Sequence, residues 1–305
     1  MSKRAFLFPG QASQYIGMGG DLYKEYPQAK YIFDEANQIM GVDLAKICFE
    51  GPEEELKQTK ITQPAIFVHS VAVLRILEEK GLTADAAAGH SLGEYSALVA
   101  AGAIEFEDGL KLVKIRGELM QQAGIDNPGT MAAIIGLEPV QIQDICQQIS
   151  GIVCTANYNS PGQIAISGEI EAVRKAMEAA REKGAKKAIE LVVSGAFHSP
   201  LMSDAQQGLS DALGAAAISD PGLPVYSNVE AIPASGASHI RDLLNKQLLS
   251  PVRWTEIVEN MVRDGIESFV EVGPGKVLSG LNRRIVRNLE CNAIGTVEDI
   301  QSLFS

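Results

Sequence analysis

Ala86-Ala-Ala-Gly89-His90-Ser91-Leu92-Gly93-Glu94-Tyr95-Ser-Ala-Leu-Val-Ala-Ala101 reads as two different local structures joined by one tight turn. Ala86–His90 is a short apolar strand, and Leu92–Ala101 follows at once as a helix. The five residues from Gly89 to Gly93 match Gly-x-Ser-x-Gly in the context that pattern requires, a strand running straight into a helix. Such a turn lifts the Ser91 hydroxyl above the end of a sheet, and the two glycines allow strand and helix to approach closely. At the helix start the Leu92 N–H lacks a partner within the helix and points where an oxyanion would form. The alternative is a serine capping an ordinary helix, but such a cap has no use for the second glycine.

Outward from this turn the chain reads as α/β. Ala5–Phe8 is a strand, and Gln28–Met40 and Pro64–Glu79 are amphipathic helices. The second of these is opened by Pro64, where a missing N–H costs nothing. Glu107 and Asp108 start a helix that runs to about Ala123, with acids at the positive end of its dipole. From Thr130 to Val193 the texture changes. Met131–Ile135, Val153–Asn157, Gln163–Ser167 and Ala188–Val193 read as strands, Val140–Ile149 and Ile170–Lys183 as helices, and Tyr158–Gly162 as a turn. That is the β-α-β-β-α-β order of a ferredoxin-like unit. Residues 128–193 are therefore expected to form a small domain inserted in a larger parallel-sheet body made of 1–127 and 194–305. The body ends with a strand at Ser268–Val272, a Gly-Pro-Gly turn at 273–275 and a helix from Val277 to Asn288.

A chain of 305 residues can build one full-sized core and a smaller insert but hardly two unrelated domains. The formal charge of −12 argues against a nucleic-acid binder, which would carry a basic surface. The apolar run at the N-terminus is too brief for a secretory signal, and no stretch is expected to reach the roughly 18 apolar residues of a membrane span. Cys48, Cys146, Cys154 and Cys291 are scattered and read as reduced, mostly buried thiols, so a cytoplasmic location is expected. Neither they nor the histidines cluster at zinc-ligand spacing, and no metal is expected.

A serine hydroxyl needs a base. Of His69, His90, His198 and His239, only His198 lies in a loop between structural units, Ser194-Gly-Ala-Phe-His-Ser-Pro200. His69 falls inside a helix, His90 should point to the other side of the turn, and His239 reads as part of a polar loop. No acid between Ser91 and His198 stands out as a third member, so a dyad is expected, with a neutral group orienting the imidazole. Arg116 is the other unusual residue. At roughly 100° per residue it projects from the apolar face of its helix, among Leu112, Val113, Leu119 and Met120. A buried guanidinium needs a partner. An internal salt bridge and a substrate carboxylate both remain open.

Seven motifs then occur in order: Phe8-Pro-Gly-Gln-Ala-Ser-Gln14, Gly89-His-Ser-Leu-Gly-Glu-Tyr-Ser-Ala-Leu98, Arg116, Asn157-Tyr-Asn-Ser-Pro-Gly-Gln163, Gly195-Ala-Phe-His-Ser-Pro-Leu-Met202, Gln247-x-x-x-Pro251-Val and Glu271-Val-Gly-Pro-Gly-Lys-Val-Leu278. Across essentially its whole length the chain resembles the malonyl-CoA:acyl-carrier-protein transacylases. The resemblance implies an α/β-hydrolase-like body with a ferredoxin-like insert, and the transfer of malonyl from malonyl-CoA to an acyl carrier protein in fatty acid biosynthesis. It implies Ser91 as nucleophile, His198 as general base and acid, and Gln11 with the Leu92 N–H as oxyanion hole. It also implies Arg116 as the clamp on the malonyl carboxylate, and the Gln247 main-chain carbonyl as the group that orients His198. No cofactor beyond the two thioesters is implied. Ala12 departs from the family's usual glycine after the glutamine and bears on how Gln11 is presented.

The same residues would serve a discrete acyltransferase loading a polyketide or polyunsaturated-lipid synthase in trans. A serine thioesterase or esterase is the reading from another class, and the missing acid and Arg116 count against it. A non-catalytic carrier-binding protein would have no reason to keep Ser91, His198 and Arg116 together. The carrier implied by the resemblance is itself acidic, so docking on a chain at −12 must use a local patch. No acid lies between Val272 and Leu289, whereas Lys276, Arg283, Arg284 and Arg287 do. On a helix reaching Asn288, Arg283 and Arg287 would share one flank. That flank is expected to receive the carrier, the alternative being a plain solvated helix face. Lys183, Lys186 and Lys187 form a second, weaker cluster, and a monomer is expected.

Overall fold

The computed structural model describes residues 2–305, so the first residue of the expected 1–127 segment lies outside it. Before the serine turn come β1 (Lys3–Phe8), α1 (Gly20–Glu25), α2 (Pro27–Met40), α3 (Leu44–Glu50), α4 (Glu53–Leu56) and α5 (Thr59–Glu79). The turn joins β2 (Ala86–Gly89) to α6 (Gly93–Ala100), and α7 (Phe106–Asp126) follows. Next come β3 (Gly129–Ile135), α8 (Pro139–Gln148), β4 (Val153–Ser160), β5 (Gln163–Glu169), α9 (Ile170–Glu182) and β6 (Lys187–Glu190). The chain closes with α10 (Ser203–Ala215), β7 (Val225–Tyr226), α11 (Ala237–Gln247), α12 (Trp254–Arg263), β8 (Ile266–Val272), α13 (Val277–Ile285), β9 (Glu290–Ile294) and α14 (Val297–Leu303).

Two sheets organise these elements. One has five parallel strands in the order β7-β2-β1-β8-β9. The other has four antiparallel strands in the order β4-β5-β3-β6 and lies wholly within the connection from β2 to β7. In β3 and β5 the pattern alternates between two cores, not between core and water. Ala132, Ile134, Ile164 and Ile166 pack against α8 and α9. Met131 and Ala165 face the other way and join the core of the larger unit. With Met131 buried as well, β3 presents apolar residues on both faces, which is why Met131–Ile135 looks poorly periodic in sequence. The units are also stitched by backbone: Tyr158 N–H donates to Val252 O at 2.9 Å and Val252 N–H to Ala156 O at 2.8 Å.

Several expectations need correction. Helix α5 begins five residues before Pro64, which therefore sits inside it. Its start is held by the Thr62 side chain on Leu56 O and by the Ile61 and Thr62 amides on Gln58 O. Contrary to expectation, α5 is also long and apolar enough to cross a membrane by length and composition, but 89% of that apolar window is buried inside the protein. The Tyr158–Gly162 turn shrinks, because β4 pairs with β5 as far as Ser160 opposite Gln163. The last strand of the small sheet is Lys187–Glu190 instead of Ala188–Val193. His239 lies in α11, not in a loop. Finally, α13 stops at Ile285, since the chain must turn within four residues to enter β9 beside β8. Arg287 thus falls beyond the helix, and the shared flank with Arg283 is lost.

Candidate active site

The serine turn is as tight as its glycines suggest. A Cβ on Gly89 would lie 1.8 Å from the Gly93 carbonyl carbon, and one on Gly93 would lie 2.0 Å from Phe8 O. Any side chain at either position would push strand and helix apart. Between them Ser91 is held at φ 52°, a left-handed conformation that non-glycine residues rarely adopt. Asn228, in the segment after β7, locks the turn: its Oδ1 accepts from Ser91 N–H at 2.6 Å and its Nδ2 donates to Gly89 O at 2.7 Å. Leu92 caps α6 and is buried, and among the described residues its N–H has no acceptor.

His198 comes from the loop between β6 and α10 and is also at positive φ, 59°. Its Nε2 is 2.8 Å from Ser91 Oγ. On the other side of the ring, Nδ1 is 2.9 Å from Gln247 O and 3.0 Å from Ser250 O. Two carbonyls can only accept, so Nδ1 carries the proton and Nε2 faces the serine as an acceptor. Burial first, then the charges of Arg116 and His90, pull the imidazole down to about 3, so it stays neutral over the ordinary pH range. The third member is a pair of main-chain carbonyls, as the absence of a suitable acid in sequence suggests.

Arg116 is 1% exposed in the middle of the buried face of α7. Its Nη1 donates to Gln63 Oε1 at 2.7 Å, and its Nη2 to Gln247 Oε1 at 2.9 Å and to Ser91 Oγ at 3.0 Å. Its Nε has no partner. Among the described residues no carboxylate lies within ion-pair distance of the guanidinium. Of the two readings left open by the sequence, the internal salt bridge is thus absent. A cation in this position, beside a nucleophile, held by neutral amides and lying 5.7 Å from the centre of the Tyr95 ring, is suited to an anionic group brought in from outside.

Gln11 stands in the turn after β1, half-buried, and no hydrogen bond joins it to the Ser91–His198 pair among the described residues. The next residue, Ala12, is at φ 80° with its N–H on Gln14 Oε1 at 2.9 Å. An alanine there bears backbone strain that a glycine would not. Gln247, by contrast, contributes both its main-chain carbonyl and its side chain. The structure adds residues the sequence reading left out: Gln63, Asn228 and Ser250, and Glu94 of α6, which accepts from Gln247 Nε2 at 2.7 Å and Asn228 N–H at 3.1 Å. Glu94 lies inside a quoted motif, and its one signal was a carboxylate in an otherwise apolar helix. His90 does turn away from Ser91, onto Asn159 Oδ1 at 2.9 Å. His69 is fully buried in α5.

The arrangement resembles known proteins in sequence and in fold. The acyl transferase domain family matches residues 5–302. A malonyl CoA-acyl carrier protein transacylase of Bacillus subtilis strain 168 is 47% identical over 304 residues, 99% of this chain and 96% of its own. The crystal structure of an acyl carrier protein S-malonyltransferase from Vibrio cholerae O1 matches with a TM-score of 0.95 at 45% identity, covering 99% of this chain and 100% of that one. A type II PKS acyl-carrier protein in complex with its malonyl-transacylase supplies another match, at TM-score 0.96 and 43% identity over 99% and 98% of the two chains.

Proposed function

The chain belongs to the acyl transferase family, and on that footing we propose that it transfers malonyl from malonyl-CoA to the phosphopantetheine thiol of an acyl carrier protein, in fatty acid biosynthesis. The observation that carries this reading is Arg116, a buried cation without an anionic partner 3.0 Å from the Ser91 hydroxyl. Malonyl is an acyl group with a free carboxylate, and it would satisfy that charge while presenting its thioester to the serine.

The reaction then runs in two halves. Ser91 Oγ attacks the thioester carbonyl as its proton passes to His198 Nε2, and the Gln247 and Ser250 carbonyls steady the imidazolium through Nδ1. The Leu92 N–H and Gln11 receive the oxyanion. CoA leaves with the proton from His198, and malonyl remains as an ester on Ser91. The carrier thiol gives its proton to His198 and attacks that ester, and Ser91 recovers the proton as the new thioester forms. No resident cofactor takes part. The apolar length of α5 is spent in the core, which supports a soluble enzyme, and we place it in the cytoplasm as a monomer with 128–193 inserted in the catalytic body. The carrier would dock at the exposed Arg283, Arg284 and Arg287.

Mass spectrometry of the intact protein tests the proposal. Malonyl-CoA should add one malonyl group, mapped to Ser91, and holo carrier should discharge it; acetyl-CoA should label poorly. Stoichiometric malonylation of a Ser91→Ala protein would overturn it. Because one matching structure pairs its transacylase with a type II PKS carrier, a polyketide carrier belongs in the same assay. Faster discharge to that carrier would move the enzyme to polyketide loading.

A further inference from the structure

Glu94 is the second residue of α6, one helical turn past Ser91, and only 3% exposed. Its Oε2 accepts from Gln247 Nε2 at 2.7 Å and from Asn228 N–H at 3.1 Å. Gln247 is 0% exposed, and its amide has one acceptor end and one donor end. The donor end serves Glu94 Oε2 and Ser91 O, the latter at 3.0 Å, so the acceptor end faces Arg116 Nη2 at 2.9 Å. With the amide flipped, its oxygen would oppose a carboxylate oxygen and its NH2 would oppose a guanidinium. The carboxylate therefore dictates which end of Gln247 meets Arg116. Asn228 anchors the carboxylate in turn, since its side chain is tied to the serine turn. Burial pushes the Glu94 carboxyl up to about 7, with the Gln247 and Asn228 hydrogen bonds and then the Arg116 charge opposing the rise. The buried carboxyl and the buried cation thus face each other across one neutral amide.

We propose that Glu94 is the positioning residue for malonyl recognition, holding Arg116 beside Ser91 through the side chain of Gln247. The inference rests on the malonyl-transfer reading above. It is tested by measuring kcat/KM with malonyl-CoA and acetyl-CoA for Glu94→Ala, Glu94→Gln, Gln247→Ala and the Glu94→Ala/Gln247→Ala pair. Glu94→Ala should lower the malonyl value about 30-fold, the scale of one hydrogen bond to a charged group, and the acetyl value several-fold less. Gln247→Ala should behave alike. Residues that act as a unit are not additive, so the pair should lose no more than the worse single variant. Glu94→Gln keeps an acceptor oxygen and should recover most of the malonyl preference. If Glu94→Ala does not fold, the Glu94→Gln/Gln247→Ala pair carries the same comparison, with a malonyl preference equal to that of Gln247→Ala alone. Additive losses, or equal losses on the two substrates, would overturn the proposal. Failure of the wild-type protein to malonylate Ser91 would instead strike the malonyl-transfer reading, which separates the two.

Discussion

Two regions of this molecule hold arginines suited to an acidic partner, and they are built in opposite ways. Arg116 is buried, and each of its amino groups has a fixed neutral acceptor: Gln63 on α5, Gln247 on α11. Arg283, Arg284 and Arg287 stand in solvent, and Arg284 Nη1 donates to Gln163 Oε1 on the small sheet. In the first region desolvation makes any vacancy in the charge balance expensive, so geometry and chemistry constrain each other. In the second, water supplies whatever partner is missing, and a helix ending a few residues early undoes the shared flank without cost to the fold.

The comparison breaks first, and most visibly, if the buried cluster is not a working unit. His198→Ala should slow acylation of Ser91 by about 10³-fold or more, because an unactivated hydroxyl loses the base that makes it nucleophilic. Rapid-quench measurement of the malonyl adduct reads this directly. A loss of only a few-fold would mean that the 2.8 Å contact is incidental.

Next in size is Arg116→Ala. Charged hydrogen bonds contribute roughly 1.5–3 kcal/mol, and breaking a buried ion pair costs about 3–5 kcal/mol. The malonyl kcat/KM should therefore fall about 10²-fold or more. Acetyl transfer should hold or improve, since acetyl leaves the guanidinium unpaired. Equal losses on both substrates would make Arg116 a structural residue and remove the contrast with the surface arginines.

These outcomes bear on how much could be read before the fold was known. The serine turn was legible because its requirements are local: Gly89 and Gly93 are needed within five residues of each other, and the structure leaves no room for a Cβ at either. Arg116 was legible as an anomaly, a charge on an apolar face, though not as to its partners. Gln63 and Asn228 were missed for one reason. Glutamine and asparagine acquire a role only from what the tertiary fold sets opposite them, and no periodicity marks them. The small sheet follows from strand and helix order, as do the three central strands of the parallel sheet, whereas its outer strands β7 and β9 went unread and the ends of α5 and α13 depended on neighbours, Leu56 in one case and β9 in the other.

A smaller effect follows from the same burial. His69 and His198 are held down to about 4 and about 3, burial being the larger cause in both, and His90 is lowered as well. Below pH 6.5 the unfolded chain takes up protons that these native imidazoles refuse, so stability falls as pH drops. Glu94 acts in the opposite sense, because its native carboxyl binds a proton near 7 and the unfolded one only near 4.5, and Glu271, raised by burial, acts in the same sense as Glu94. With more histidines than acids in the balance, stability should decline between pH 6.5 and 4.5 by about 1.4 kcal/mol per pH unit for each imidazole in excess. Denaturant midpoints at pH 7.5, 6.0 and 5.0 would measure the slope, and a rise in stability across that range would contradict it.

The smallest effect is expected at the surface, and it decides whether the second region matters at all. The chain is at −12, so an acidic carrier cannot be drawn to the molecule as a whole and must find a local basic patch. The early end of α13 removes the helical flank that Arg283 and Arg287 would have shared but leaves all three arginines exposed, in a stretch without acids. Arg284 also touches Gln163 at the start of β5, an interior strand of the small sheet, where Lys187 is paired with Ile135, the residue that Gln163 itself opposes. The two basic clusters seen in the sequence are thereby brought toward one end of the molecule. Charges at the rim of an interface act mainly on association and are screened over about 8–10 Å at ordinary salt. Arg284→Glu with Arg287→Glu should accordingly raise the KM for the carrier several-fold, more at low ionic strength, and leave acylation of Ser91 by malonyl-CoA unchanged. If the carrier KM does not move at low salt, these arginines are plain surface, and the basic residues that meet the carrier lie elsewhere, with Lys183, Lys186 and Lys187 the next to reverse.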